Sequence, residues 1–103
     1  MSDNSALTET TYYILLSLYR PLHGYGIMQR TEELSGGRVR LAAGTLYGAL
    51  NAMGERGWIL LLPGEGRKKE YKLTPRGLEV LKKELARLRE LVASGDLVMK
   101  EDI

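Results

Sequence analysis

Two short stretches hold the side chains best suited to chemistry with a polyanion. In Leu41–Ile59, LAAGTLYGALNAMGERGWI, the apolar Leu46, Leu50 and Met53 recur at helical spacing. At about 100° per residue, Gly44, Gly48 and Asn51 gather on the opposite face, and Thr45 and Tyr47 flank it. A mid-helix Gly costs about 1 kcal/mol relative to Ala, so two on one face call for a reason. Bare backbone lets a helix approach a groove or a phosphate closely. Asn can pair bidentately with adenine, and Thr or Tyr can reach a phosphate or a thymine methyl. The plain alternative is a solvated face with Tyr47 packed sideways. The second stretch, GEGRKKEY, groups Arg67, Lys68 and Lys69 beside glycines. A positive, mobile loop suits phosphate contact or minor-groove insertion; its plain alternative is a solubilising turn.

The charge distribution points the same way. The net charge is only +2. Residues 1–35 carry −2, residues 36–76 carry +5 and residues 77–103 carry −1. An excess confined to the middle third suggests a polyanionic partner.

Little supports an enzyme. The single histidine, His23, lies in PLHGYG beside a glycine turn and reads as a turn or helix-start contact. No Ser/His/acid set, phosphate loop or cluster of metal ligands is visible, and GEG lies in a hairpin rather than before a helix. No cofactor is expected. With no cysteine there is neither a disulfide framework nor a thiolate metal site, which fits a cytoplasmic protein. The apolar runs are far too short to span a bilayer, and Asp3 and Glu9 argue against a targeting peptide.

The elements that must position these residues follow from periodicity and punctuation. Residues 1–6 read as a frayed start. Thr8 reads as the N-cap of a first helix carrying Tyr12, Leu15, Leu16 and Tyr19, stopped near Arg20 by Pro21. A second helix fits about Tyr25–Leu34, with Ile27, Met28, Thr31 and Leu34 on one face and Gly36–Gly37 ending it. RVRL reads as a very short strand. The third helix fits Ala43–Arg56, with Gly57 as its stop. WILLLPGEGRKKEYKL reads as a hairpin with a basic tip. Thr74 and Pro75 then open a last helix. Leu78, Leu81, Leu85, Leu88 and Val92, at spacings of 3, 4, 3 and 4, form a seam that Leu91 broadens. Ser94 and Gly95 end that helix, leaving a short tail. The seam can pack on its own domain, pair with a second copy, or do both, and its length favours pairing.

The expected fold is mainly α with a small β-hairpin wing: a winged helix-turn-helix over residues 1–74, then a C-terminal dimerisation helix and tail over 75–103. LHGYGIMQRTEEL, AAGTLYGALNAMGERGWI and RKKEYKLTPRGLEVL together resemble, in order and spacing, the PadR family of bacterial transcriptional regulators. The resemblance runs from about Thr8 to Leu91. It implies a cytoplasmic homodimer on double-stranded DNA at a palindromic operator, usually repressing transcription. It carries Gly44, Thr45, Leu46 and Tyr47 onto the family's recognition motif, with Thr45 and Tyr47 at the DNA. Arg67, Lys68 and Lys69 match the basic wing. Tyr71, Leu73, Thr74 and Gly77 take structural roles, and Tyr25 and Gly26 sit where a phosphate could be held. Two departures stand out: Ala43 and Gly48 occupy places where the family often has proline. Some small members also hold flat aromatic drugs between subunits with a Trp on the last helix. A small aromatic effector is therefore a further partner to consider, but the one Trp, Trp58, starts the hairpin and reads as core. A protein-interaction module without DNA binding is the rival reading.

Overall fold

The computed structural model describes residues 6–101, except the side chain of Arg67. All but Ala6 of the expected frayed start, and Asp102–Ile103 of the tail, lie outside the described residues.

Helix α1 spans Glu9–Ser17, and the Thr8 hydroxyl accepts the Thr11 amide at its start. Ile14, Leu15 and Leu18 are fully enclosed. Helix α2 spans Gly24–Leu34 and buries Ile27 and Thr31, while Leu34 at its end is exposed. The chain leaves α2 through Gly36 and Gly37 at φ of 63° and 88°, and the Gly37 amide donates back to the Glu32 carbonyl. Helix α3 spans Ala43–Glu55 and buries Leu46, Leu50 and Met53, the residues its periodicity nominates.

Two expectations need correction. Residues 38–41 form no strand, because no strand lies alongside them to pair with. The Val39 amide donates to the Ser35 hydroxyl instead, and its side chain turns inward. The sheet does have a third strand, but it is β1, Leu22–His23, just before α2. With β2 at Ile59–Leu61 and β3 at Glu70–Leu73, the antiparallel order is β1-β3-β2. Leu22 faces Tyr71, and Ile59 faces Leu73. The second correction concerns helix α4. It runs Pro75–Met99, straight through Ser94 and Gly95. One Gly and one Ser cost about 1 kcal/mol or less each in a helix interior, too little to stop a helix with no competing turn.

The base of the wing is tied to α4 by a compact set of contacts. Gly57, at φ 77°, ends α3. Its carbonyl accepts the Thr74 hydroxyl, and the Trp58 carbonyl accepts the Thr74 amide at 2.9 Å. The same hydroxyl caps α4 by accepting the Gly77 amide. A Cβ at Gly77 would lie 2.8 Å from the Trp58 carbonyl carbon and closer still to its oxygen. The helix can pack here only because that atom is missing.

Leu81 joins the main core, and Glu84 is buried one turn further on. The Glu84 carboxylate accepts two bonds from Arg87, at 2.7 and 2.6 Å, and the Leu7 amide at 3.3 Å. The Arg87 hydrogen bonds hold its pKa below the ordinary 4.5; burial works against them, and the Arg87 charge and the Leu7 amide assist.

Gly77→Ala should destabilise the protein by about 1–3 kcal/mol, because the obstacle is backbone that cannot swing away. Urea unfolding measures this, and an unchanged midpoint would contradict the packing. Glu84 has a lowered folded-state pKa, so its contribution is complete above the unfolded value and is lost as pH falls through the folded one. The melting-temperature gap between the parent and Glu84→Gln should therefore hold above about pH 5 and close in more acid solution. A gap that persists undiminished at pH 2 would contradict this.

Candidate nucleic-acid interface

Helix α3 turns a nearly bare face outward. Gly44, Thr45, Tyr47, Gly48 and Asn51 are all exposed. Nothing lies within 4 Å of where a Cβ would stand at Gly44 or Gly48. The backbone of this face is therefore open to a large partner over two successive turns. Asn51 stands one turn beyond Gly48. Tyr47 is 45 % exposed, and its ring leans across to the start of α2, where it meets Gly24. Tyr25 follows at 62 % exposure, its hydroxyl accepting from the Gln29 amide at 3.4 Å.

The wing follows α3 directly, its first strand β2 contacting that helix. Residues 66–68 form a single 3₁₀ turn at its tip, and Lys68 and Lys69 are exposed. The backbone of Arg67 belongs to that turn; its side chain is outside the described residues. On β3, Tyr71 and Leu73 face inward, while Lys72 points outward with Lys68 and Lys69 nearby in sequence. Burial, and then the Tyr47 phenol, push the Tyr71 pKa up. Trp58 packs against the core, with the Arg56 guanidinium 5.1 Å from its ring centre. Trp58 is therefore part of the packing at the start of α4 rather than a side chain of that helix.

The structure narrows the basic footprint. Arg38 pairs with Glu9 of α1, and Arg40 lies 3.7 Å from Glu32 of α2. Both arginines between α2 and α3 thus have acidic partners, while Lys68, Lys69 and Lys72 of the wing are exposed.

The leucine seam of α4 divides into two parts. Leu81 is enclosed in this chain's own core, so its contribution to a second copy is corrected to an internal one. Leu78, Leu85 and Leu88 are half-buried. Beyond them every residue from 89 to 101 is exposed, including Leu91 at 55 % and Val92 at 62 %. Leu97, Val98 and Met99 extend this exposed apolar surface past the expected end of the helix.

Gly24 and Glu84 were not apparent as site or packing residues from sequence. Gly24 has no positive φ to mark it, and Glu84 looks like any helix-surface acid until α1 is laid over it. Among the described residues no group of three His, Asp or Glu side chains could hold a metal, and no helix is long and apolar enough to cross a membrane.

Three helices, a small antiparallel sheet with a basic wing, and a long last helix make a winged helix-turn-helix. Residues 14–83 match the Transcriptional regulator PadR-like family, and the chain belongs to that family. The fold is shared with a PadR family transcription regulator from a hypervirulent Clostridium difficile strain, with a TM-score of 0.75 and 22 % identity over 89 % of this chain and 99 % of the other. A PadR-like transcriptional regulator from Bacillus cereus gives 0.72 at 15 % identity, covering 90 % and 92 %. RosR of H. salinarum gives 0.70 at 23 % identity, covering 93 % and 99 %. An uncharacterised 37.1 kDa protein in transposon TN4556 of Streptomyces fradiae is 42 % identical over 64 residues, which are 62 % of this chain but only 18 % of that protein.

Because Gly48 faces open space within α3, Gly48→Ala should stabilise the free protein by about 0.5–1 kcal/mol. Chemical denaturation at fixed protein concentration tests this. A loss of stability would mean that the face is not open.

Proposed function

We propose that this regulator binds double-stranded DNA as a homodimer at a palindromic operator and represses transcription there. The observation that carries the reading is the bare outer face of α3 beside an exposed basic wing. Gly44 and Gly48 let the α3 backbone approach the major groove. Asn51 reads a base edge, and Thr45 and Tyr47 reach bases or phosphates at the flanks. Lys68 and Lys69, with Arg67, grip the backbone next to it. Tyr25, at the start of α2, adds a phosphate contact.

The dimer rests on the outer part of the α4 seam. Leu91 and Val98, and Val92 and Met99 beside them, stand seven residues apart on one side of α4 and are exposed, an apolar surface of the kind that marks an interaction site. A second copy covers it through the same surface, and the two-fold symmetry then presents two α3 helices to two half-sites. A bound dimer represses by occupying the promoter. Such a role places the protein with the chromosome, in the cytoplasm.

The test is fluorescence anisotropy with a labelled duplex of roughly 30 base pairs at a series of salt concentrations. Binding should weaken steeply with salt. Lys68→Ala with Lys69→Ala should weaken it for every duplex and reduce the log–log salt slope by up to about 2 units. A double variant that matches the parent removes the wing from the interface. A parent with no affinity for DNA at low salt favours the protein-interaction module instead.

A further inference from the structure

Tyr47 is held by a contact outside its own helix. A Cβ at Gly24 would lie 2.9 Å from the Tyr47 Cζ and nearer still to its phenol oxygen. Any side chain at position 24 therefore displaces the Tyr47 ring. Nothing else about position 24 asks for glycine. Its φ is not in the left-handed region. It sits in the first turn of α2, where alanine would be the better helix former.

His23 is the N-cap residue of α2, and its side chain makes no capping hydrogen bond. Leu22, two residues before Gly24, pairs with Tyr71 of β3. Tyr71 is half-buried on the inner face of the wing, and burial, then the Tyr47 phenol, raise its pKa. One exposed tyrosine of α3 thus touches the start of α2, which runs straight on from the strand that pairs with β3.

We propose that Gly24 is a positioning residue: its missing side chain seats the Tyr47 ring against the start of α2, and so places the phenol toward the DNA that α3 and the wing would share. This rests on the DNA-binding reading above. It differs from the close approach at Gly77, where the obstacle is backbone. At Gly24 the obstacle is the far end of a side chain that can swing out. Substitution should therefore leave the fold intact and misplace one contact.

The experiment uses the full chain and a duplex enriched by the parent protein from a random pool. Gly24→Ala, Tyr47→Ala and the double variant are compared by thermal unfolding, by the NMR shifts of the Tyr47 ring, and by affinity for that duplex. Gly24→Ala should melt close to the parent, shift the Tyr47 ring resonances, and bind about tenfold more weakly, the size of one lost polar contact. The double variant should bind like Tyr47→Ala alone, because the alanine at 24 acts only through that ring. Unchanged affinity in Gly24→Ala, or losses that multiply in the double variant, overturn the inference and leave the DNA reading standing. A parent that enriches no duplex overturns the DNA reading and this role together.

Discussion

The Trp58 carbonyl accepts the amide of Thr74, and the Cα of Gly77 rests against the same peptide with no Cβ between them. Four elements meet at that point. Helix α3 has just ended at Gly57, β2 is about to begin, β3 has just finished, and α4 starts under the Thr74 cap. The direction of the wing relative to α3, and of α4 relative to both, therefore depends on a contact a few atoms wide. Satisfied backbone groups explain why it holds: the Thr74 hydroxyl both donates to Gly57 and accepts from Gly77. Close packing explains why it tolerates no extra methyl.

On that frame the outward surface is built largely by subtraction. The inner side of α3 is ordinary core, with Leu46, Leu50 and Met53 enclosed. Its outer side lacks side chains at Gly44 and Gly48, and α2 lacks one at Gly24, where Tyr47 lies. The basic residues on either side of α3 differ in their surroundings. Arg38 and Arg40 have carboxylate partners, while Lys68 and Lys69 stand on the wing in solvent. The opposite end of the molecule follows a different logic. Glu84 and Arg87 settle the near half of α4 against the chain before α1, and the far half projects with its apolar residues uncovered.

Much of this was legible in the sequence because it is encoded locally. The period of Leu46, Leu50 and Met53, the caps at Thr8 and Thr74, and the glycine stops after α2 and α3 each depend on a few neighbouring residues. What escaped depends on partners far along the chain. Leu22–His23 is a strand only because β3 arrives beside it, while Val39 and Leu41 look more strand-like and have no such neighbour. Helix α4 continues past Ser94–Gly95 because nothing nearby offers the chain an alternative. Gly24 carries no local signature, since its reason is the ring of a residue on another helix. The GTLY and wing residues could be nominated from sequence, and Thr74 and Gly77 with them, but the contact of Gly24 with the Tyr47 ring could not.

The central claim is that two copies of the α3 face and its wing read a duplex through a two-fold site. Selection of bound sequences from a random DNA pool by this chain tests it most directly. The account predicts an enriched inverted repeat whose half-sites are centred about one helical turn, or a whole multiple of a turn, apart. A pool that stays random, or a single asymmetric site bound by one chain, would contradict it.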